Sequence, residues 1–394
     1  MRRVYFGSDN IITSLGFSTK ENALNIHAGI TGIRVIEEKG LFPGPVAYSA
    51  VHSGELDFHF TKSIKKRHFP GSEIKNFTRL EKMFFSSISA ALENAEIDPA
   101  GPDTVMIFST TKGNIDLLGK HPGGIAGNDR VHLWEMASFV ARSFNSPTLP
   151  IVVSNACTSG SVAIILAARL IASGKFDHAI VTGGDIISEF VISGFQSFQA
   201  LSPEPCRPFD TDRKGLSLGE GCGTVILTAD PAKASAGMPV IYLGGATSND
   251  ANHISGPSRD GEGLYLAIFA AMTEAGIPAG DIDFISAHGT ATPYNDEMES
   301  LALARAGLET VPVNSFKGYI GHTLGAAGVI ETILSVYSMR NHILFKSIGY
   351  DVNGVSRPLN IITQNTDQPV KKVLKTASGF GGCNAAVVTG LTGN

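Results

Sequence analysis

Apolar and polar positions along this chain follow two alternating rhythms. Short β-rich runs that close on Gly, Ser or Thr are separated by longer stretches with helical spacing. In the first half the runs are "RVYFGSD" (3–9), "TVMIFSTT" (104–111), "LPIVVSNAC" (149–157), "HAIVTGGD" (178–185) and "GTVILTAD" (223–230). In the second half they are "PVIYLGGATS" (239–248), "DFISAHGT" (283–290), "VPVNSFK" (311–317), "KKVLKTASGFGG" (371–382) and "NAAVVTGLT" (384–392). Strands interleaved with helices of ten or more residues predict an α/β fold with sheets covered on both faces.

The helical stretches carry their own punctuation. In "FTRLEKMFFSSISAALENAEI", Thr78 is positioned as an N-cap and Glu81 completes a capping box. Leu80, Met83, Phe84, Ile88 and Leu92 then recur on one helical face. "GLYLAIFAAMTEAGI" (263–277) ends at a Gly suited to a C-cap. The run after Cys157, "VAIILAARLIA", is apolar on nearly every side and predicts a helix inside the protein.

The two halves echo each other. "VYFGSDNIITS" near residue 4 resembles "VIYLGGATSND" near residue 240, and "VVSNACTSG" resembles "LKTASGFGG". The polar, Ala- and Pro-rich "TADPAKASAGMP" (228–239) reads as a linker. Two duplicated halves are therefore expected, 1–237 and 238–394.

Composition narrows the class. Of 394 residues, 43% are hydrophobic and 17% charged, a core-rich chain whose sparsely charged surface suits an oligomer. A net charge of −5 argues against a nucleic-acid-coating protein. The four cysteines, Cys157, Cys206, Cys222 and Cys383, are too scattered for a disulfide framework and form no C-x2-C pair, so no structural metal is expected. "MRRVYFGSDN" reads as a first strand, not a signal peptide, and no 18-residue apolar stretch is uninterrupted. The expectation is a cytoplasmic protein without integral membrane contact.

Chemistry concentrates where strands end. Cys157 stands at a strand-to-helix turn, among Ala156, Thr158, Ser159 and Gly160, small neighbours that would admit a substrate. A buried cysteine is ordinarily a small hydrophobe, but a helix N-terminus favours thiolate, the nucleophilic form. His288 closes a predicted strand in "SAHGTATPYND", and His322 follows a Gly-rich loop in "NSFKGYIGHTLGAAG". One histidine among 11 says little; two at strand ends within Gly/Thr-rich turns say more.

Together with "ACTSG", "RPFDTDRKGLSLGEGCG" and "SGFGGCNAAVV", these motifs resemble, in order and approximate spacing, the β-ketoacyl-acyl carrier protein synthases. The resemblance covers nearly the whole chain. It implies a thiolase-like fold in a layered α-β-α-β-α arrangement, with Cys157 in the first half and both histidines in the second. His322 marks the elongating, Cys-His-His type. The implied reaction is decarboxylative condensation of malonyl-acyl carrier protein with an acyl group held on Cys157, extending it by two carbons. His288 and His322 would donate from neutral imidazoles to the thioester oxygen, and the backbone N–H groups of Cys157 and Phe380 would form the oxyanion hole, donors worth roughly 3–4 kcal/mol each.

The resemblance also assigns supporting parts. Lys317 would be a buried partner of Glu331 rather than a solvated loop lysine. Thr290 and Thr292 would bond the phosphopantetheine arm, Phe380 would gate the acyl pocket, and Gly379 would allow close backbone approach. Asp210 and Arg213 would shape the loop 194–215, and Cys206 and Cys222 would be inert. No cofactor is expected beyond the arm of the acyl carrier protein. That acidic partner calls for a basic patch, for which Lys75, Arg79 and Lys82 are the candidates, although charge runs are commonly just solvated faces. A homodimer is expected, or a heterodimer with a related subunit.

Cys383 stands where the family usually has threonine, and region 112–148 is unlike common members, so chain-length preference does not transfer. A thiolase-like enzyme without decarboxylation, with Cys383 as second thiol, and a catalytically modified partner subunit are the alternatives.

Overall fold

A computed structural model describes residues 2–37, 44–67, 76–118, 128–234, 237–250, 252–253 and 256–392. Each β-run read from the sequence becomes a strand of one ten-stranded sheet. Its order is Val313–Asn314, Phe284–Ser286, Lys372–Gly379, Cys383–Leu391, Val240–Asn249, Tyr5–Ile12, Gly221–Thr228, His178–Asp185, Thr104–Ser109 and Ile151–Val153. The seam between halves is short: Tyr5 pairs with Ile241 and Phe6 with Val240.

From that seam outward, both halves place their strands in the same order: first, fifth, fourth, second, third. The fifth runs antiparallel to the first and to the fourth on either side of it; the fourth, second and third are parallel. Parallel neighbours require crossovers, which is why helical stretches separate these runs.

The topology pairs the first strands, as "VYFGSDNIITS" and "VIYLGGATSND" suggested, but it corrects the second match. "VVSNACTSG" leaves a third strand, Ile151–Val153, for the helix Ser159–Ala172. Its counterpart is the strand Val313–Asn314 with the helix Ala327–Asn341. "LKTASGFGG" belongs to a fourth strand, equivalent to His178–Asp185. Small residues recur at both places because backbone approaches closely there, so similarity in Gly and Ser misreads the repeat.

The helices Ser159–Ala172 and Ala327–Asn341 pack on each other between the sheet halves, buried along most of their length. Arg79–Glu93 covers the outer face of the first half and Glu262–Ala275 that of the second, giving the α-β-α-β-α layering of a thiolase-like fold. Where the two central helices begin, backbone meets backbone. A Cβ on Gly160 would lie 2.7 Å from Val329 N, and one on Gly328 would lie 2.2 Å from Ser161 N.

The capping box of Thr78 and Glu81 forms, and Leu80, Met83, Phe84, Ile88 and Leu92 are buried. Glu81 is buried too, because Arg130 Nη1 pairs with it at 2.8 Å and Asn114 Nδ2 donates to it at 2.9 Å. The helix Glu262–Ala275 ends at Gly276, whose φ of 65° is the left-handed cap. Two small sheets escaped the sequence reading: Arg34–Ile36, Val46–Ser49 and Leu218–Gly219, and the pair Ile343–Leu344 and Thr366–Asp367. Pieces of two to four residues leave no readable alternation. Among the described residues no helix is long and apolar enough to cross a membrane.

Candidate active site

After Val153 the chain turns sharply, with Ala156 in the left-handed region at φ 45°. Hydroxyls hold this turn: Thr158 Oγ1 donates to Asn155 O at 2.7 Å, and Ser159 Oγ donates to Ala156 O at 2.6 Å. Ser159 Oγ also accepts from Asn155 N at 2.8 Å. The small polar neighbours of Cys157 therefore fasten the turn as well as leaving space. Cys157 itself is 7% exposed, and burial, then the neighbouring Cys383, pushes its thiol up to about 12. The expectation that the helix terminus holds a resting thiolate is corrected: desolvation outweighs the dipole, and the sulfur rests protonated.

His288 ends the strand Phe284–Ser286, and its backbone is clamped from below. Its N–H donates to Glu299 Oε1 at 2.8 Å and to Thr376 Oγ1 at 3.2 Å, while Gly289 N donates to Glu299 Oε2 at 2.7 Å. Asp296, one helical turn before Glu299, accepts from Thr290 N and Phe209 N at 3.0 and 2.7 Å. Burial raises the Asp296 carboxyl to about 6. Sequence reading missed both carboxylates. Their signal was the i,i+3 spacing in "NDEMES", on the helix Pro293–Arg305 that opens just after the histidine turn.

His322 is bound through its backbone: its N–H donates to Ser217 O at 2.7 Å, and its carbonyl accepts from Gly219 N at 2.9 Å. The loop beyond it is tied down by buried Asp185, which accepts from Gly325 N at 2.7 Å and from Thr111 N at 2.9 Å. Lys317 Nζ, fully buried, lies 2.6 Å from Glu331 Oε1 and donates to His288 O at 2.5 Å. Glu331 also pairs with a second buried lysine, Lys375, at 2.6 Å. Burial, then Lys317, hold both imidazoles well below their ordinary value, so both are neutral.

These side chains share one cavity of about 510 Å³, lined by Cys157, His288, His322, Thr290, Thr292 and Phe380, with Phe195, Phe198, Gly379 and Lys214 around them. Thr290 and Thr292 hydroxyls are 2.9 Å apart and bond each other. Phe380 stacks on Phe195 at 5.5 Å and meets Phe198 edge-on at 5.1 Å. A Cβ on Gly379 would sit 3.0 Å from Cys157 N and 2.9 Å from Cys383 Sγ, so only glycine fits. Among the described residues, neither the Cys157 nor the Phe380 amide donates to another part of the protein. Cys383 Sγ contacts Phe380 O at 3.4 Å and Asn155 O at 3.5 Å, tying the "GFGG" hairpin to the cysteine turn.

Asp210 and Arg213 brace their loop through different atoms. Asp210 accepts from the amides of Asp212, Asp351 and Val352, and these amides outweigh burial to hold its carboxyl below the ordinary range. Arg213 Nη1 donates to the carbonyls of Asp210 and Gly354. Cys206 and Cys222 are buried away from the cavity. The docking candidates fare differently. Lys75 lies outside the described residues. Arg79 turns inward, and Nε and Nη2 reach Glu220 at 2.7 and 2.6 Å while Nη1 donates to Ser53 at 2.8 Å. Arg79 therefore braces the fold through Glu220 while its side chain stays partly exposed. Lys82 pairs with exposed Asp57 at 2.7 Å.

Residues 11–232 match the β-ketoacyl synthase N-terminal domain, and residues 240–351 match its C-terminal domain. The chain is 36% identical over 250 residues to the 3-oxoacyl-[acyl-carrier-protein] synthase 2 of Rhizobium meliloti, covering 60% of this chain and 59% of that protein. To a putative mitochondrial 3-oxoacyl-[acyl-carrier-protein] synthase of Schizosaccharomyces pombe it is 28% identical, with 98% of each covered. Among solved structures it resembles the ishigamide ketosynthase/chain length factor, with TM-score 0.88, 26% identity and 100% of both chains covered. It also resembles the ketosynthase ApeO in complex with its chain length factor ApeC from Xenorhabdus doucetiae, with TM-score 0.82, 26% identity, and 99% and 98% covered. With a cysteine, two neutral histidines and two unengaged amides gathered on one cavity of a duplicated α/β fold, and with both domain models matched in order, the chain belongs to the β-ketoacyl synthase family.

Proposed function

We propose that this chain performs decarboxylative condensation on carrier-bound thioesters. In the first step the Cys157 thiol loses its proton and its sulfur attacks the acyl-carrier thioester; the carrier leaves as a thiol, taking up a proton. The amides of Cys157 and Phe380 stabilise the oxyanion of that step. In the second, malonyl-carrier loses CO2, and the electron pair of the broken C–C bond forms an enolate. His288 and His322 donate to its oxygen. The enolate carbon attacks the Cys157 thioester, and Cys157 is released and reprotonated, leaving a β-ketoacyl chain two carbons longer.

The observation that carries this reading is the convergence of one thiol and two buried imidazoles on a single cavity, where burial keeps both rings neutral. A protonated imidazole would pair with the malonyl carboxylate and hold it; a neutral one directs a donor to the oxygen where charge grows. Thr290 and Thr292, at the same cavity, suit the phosphopantetheine arm, which would make a resident cofactor unnecessary. The acyl carrier protein is the proposed partner, with Lys82 in its docking surface. The division into units 1–237 and 238–394 follows the repeated strand order. A cytoplasmic setting and assembly as a dimer complete the proposal. The resemblance to ketosynthases solved together with a chain length factor favours a related subunit as the second member.

Mass spectrometry of the protein mixed with acyl-carriers of several lengths and malonyl-carrier tests the reading. A two-carbon extension that requires Cys157 supports it. Product made by Cys157→Ala sinks the covalent mechanism, and extension without CO2 release favours the non-decarboxylating alternative.

A further inference from the structure

A lysine that the sequence reading passed over is buried behind the site, against the backbone that leads to His288. Lys375 is 2% exposed on the strand Lys372–Gly379, and its ammonium meets Glu331 Oε2 at 2.6 Å. It also donates to Thr376 O at 2.6 Å, Ser286 O at 3.3 Å and Ala287 O at 3.4 Å. Lys317 holds the other oxygen of the same carboxylate and the next carbonyl along, that of His288. Two ammonium groups thus share one carboxylate, and between them they grip three consecutive carbonyls leading to the His288 side chain.

The charges around the histidines come from every element packed there. Lys375 lies on its strand, Lys317 on the short helix Lys317–Ile320, Glu331 on Ala327–Asn341, Glu299 with Asp296 on Pro293–Arg305, and Asp185, which anchors the loop after His322, on His178–Asp185. Lys112 also acts on His322. Lys375 is one of the positive charges that disfavour protonation of both rings, so its removal favours protonated imidazole.

We infer that Lys375 is a positioning residue of this site: by sharing Glu331 with Lys317 and gripping the Ser286 and Ala287 carbonyls, it fixes the direction of His288 and supplies positive charge behind both imidazoles. A packing residue alone would not need this position to be ionic. The inference rests on the condensing role proposed above. It adds a third charged member to the Lys317–Glu331 pair, one whose influence falls on the decarboxylation half of the reaction.

Lys375→Met removes the charge at similar volume, and Lys375→Gln keeps donors to the carbonyls if the first variant fails to fold. Decarboxylation of malonyl-acyl carrier protein is expected to fall at least tenfold more than acylation of Cys157, with the loss in kcat rather than KM. The acid limb of the kcat profile moves up by about one pH unit. Independently of turnover, NMR titration of the labelled histidines in the full chain is expected to show His288 and His322 gaining protons at higher pH in the variant. An unmoved histidine titration, or equal loss of both half-reactions with an unmoved acid limb, overturns the inference. A wild-type protein that releases no CO2 from malonyl-carrier fails the functional proposal, and the histidine titration still decides the place of Lys375.

Discussion

The rings of His288 and His322 meet edge to face, with 5.2 Å between centroids and 83° between planes. Such a crossing lets two neutral imidazoles converge on one small atom from different directions. His322→Ala is therefore expected to spare acylation of Cys157 while lowering decarboxylation by about 10²-fold or more. Quenched-flow acylation and CO2 release, measured on the same preparation, separate the two. Equal loss of both would mean that His322 only props up the fold.

The resting thiol of Cys157 makes a prediction about reagents. Raising a thiol from 9.0 to about 12 lowers the thiolate fraction about a thousandfold. The greater nucleophilicity of a more basic sulfur returns about twentyfold of that. Iodoacetamide should thus alkylate Cys157 near neutral pH about fiftyfold more slowly than a free cysteine, with a rate still climbing in mild alkali. A plateau reached below neutrality would show a thiolate at rest.

Acid should destabilise the fold through the same histidines. Unfolding frees them to titrate near 6.5, whereas burial holds them well below that in the folded chain. Below 6.5 the unfolded state therefore binds more protons, and stability falls as pH falls until the folded values are reached. Asp296 opposes this between about 6 and 3.8, since its carboxyl is raised and the folded state takes its proton first. Comparing Tm against pH for wild type and His322→Gln isolates the histidine: the variant should lose less on acidification. Parallel curves would contradict the assigned neutrality.

At Gly379 a single methyl group is expected to be costly. Its Cβ would press on Cys157 N and Cys383 Sγ, at 3.0 and 2.9 Å, displacing one of the proposed oxyanion donors. Gly379→Ala should lower acylation by about 10²-fold, and adding Cys383→Ala should recover part of it by making room. No recovery would place the strain elsewhere.

Arg79 and Lys82, one helical turn apart, should separate cleanly. Arg79→Ala strands Glu220, which is buried, and is expected to cost about 3 kcal/mol in chemical denaturation. Lys82→Glu should leave stability nearly unchanged and raise KM for the carrier-bound substrate at low salt. An unchanged KM removes Lys82 from the docking surface.

Most of the frame was legible because it depends on periodic burial. Every strand of the large sheet and the capped helix after Thr78 follow from spacing alone. What escaped depends on pairing across the fold. Lys375 sits in a run read only as a strand and Glu299 in a segment the spacing left unassigned, and only the folded chain brings them under His288. Arg79 looked like a surface cation until Glu220, 141 positions later, came to meet it. The thiolate expectation erred for a related reason: a helix terminus is visible in sequence, but the depth at which it is buried is not.

The meeting of Gly160 with Gly328 has a mechanical consequence. A joint made of bare backbone has no compliant layer, so displacement on one side passes undiminished to the other. One side leads directly to Cys157 and the other to the loop of His322. The site can then be assembled or lost only as a whole, and activity should vanish along the same thermal transition as the fold, without an inactive but folded intermediate.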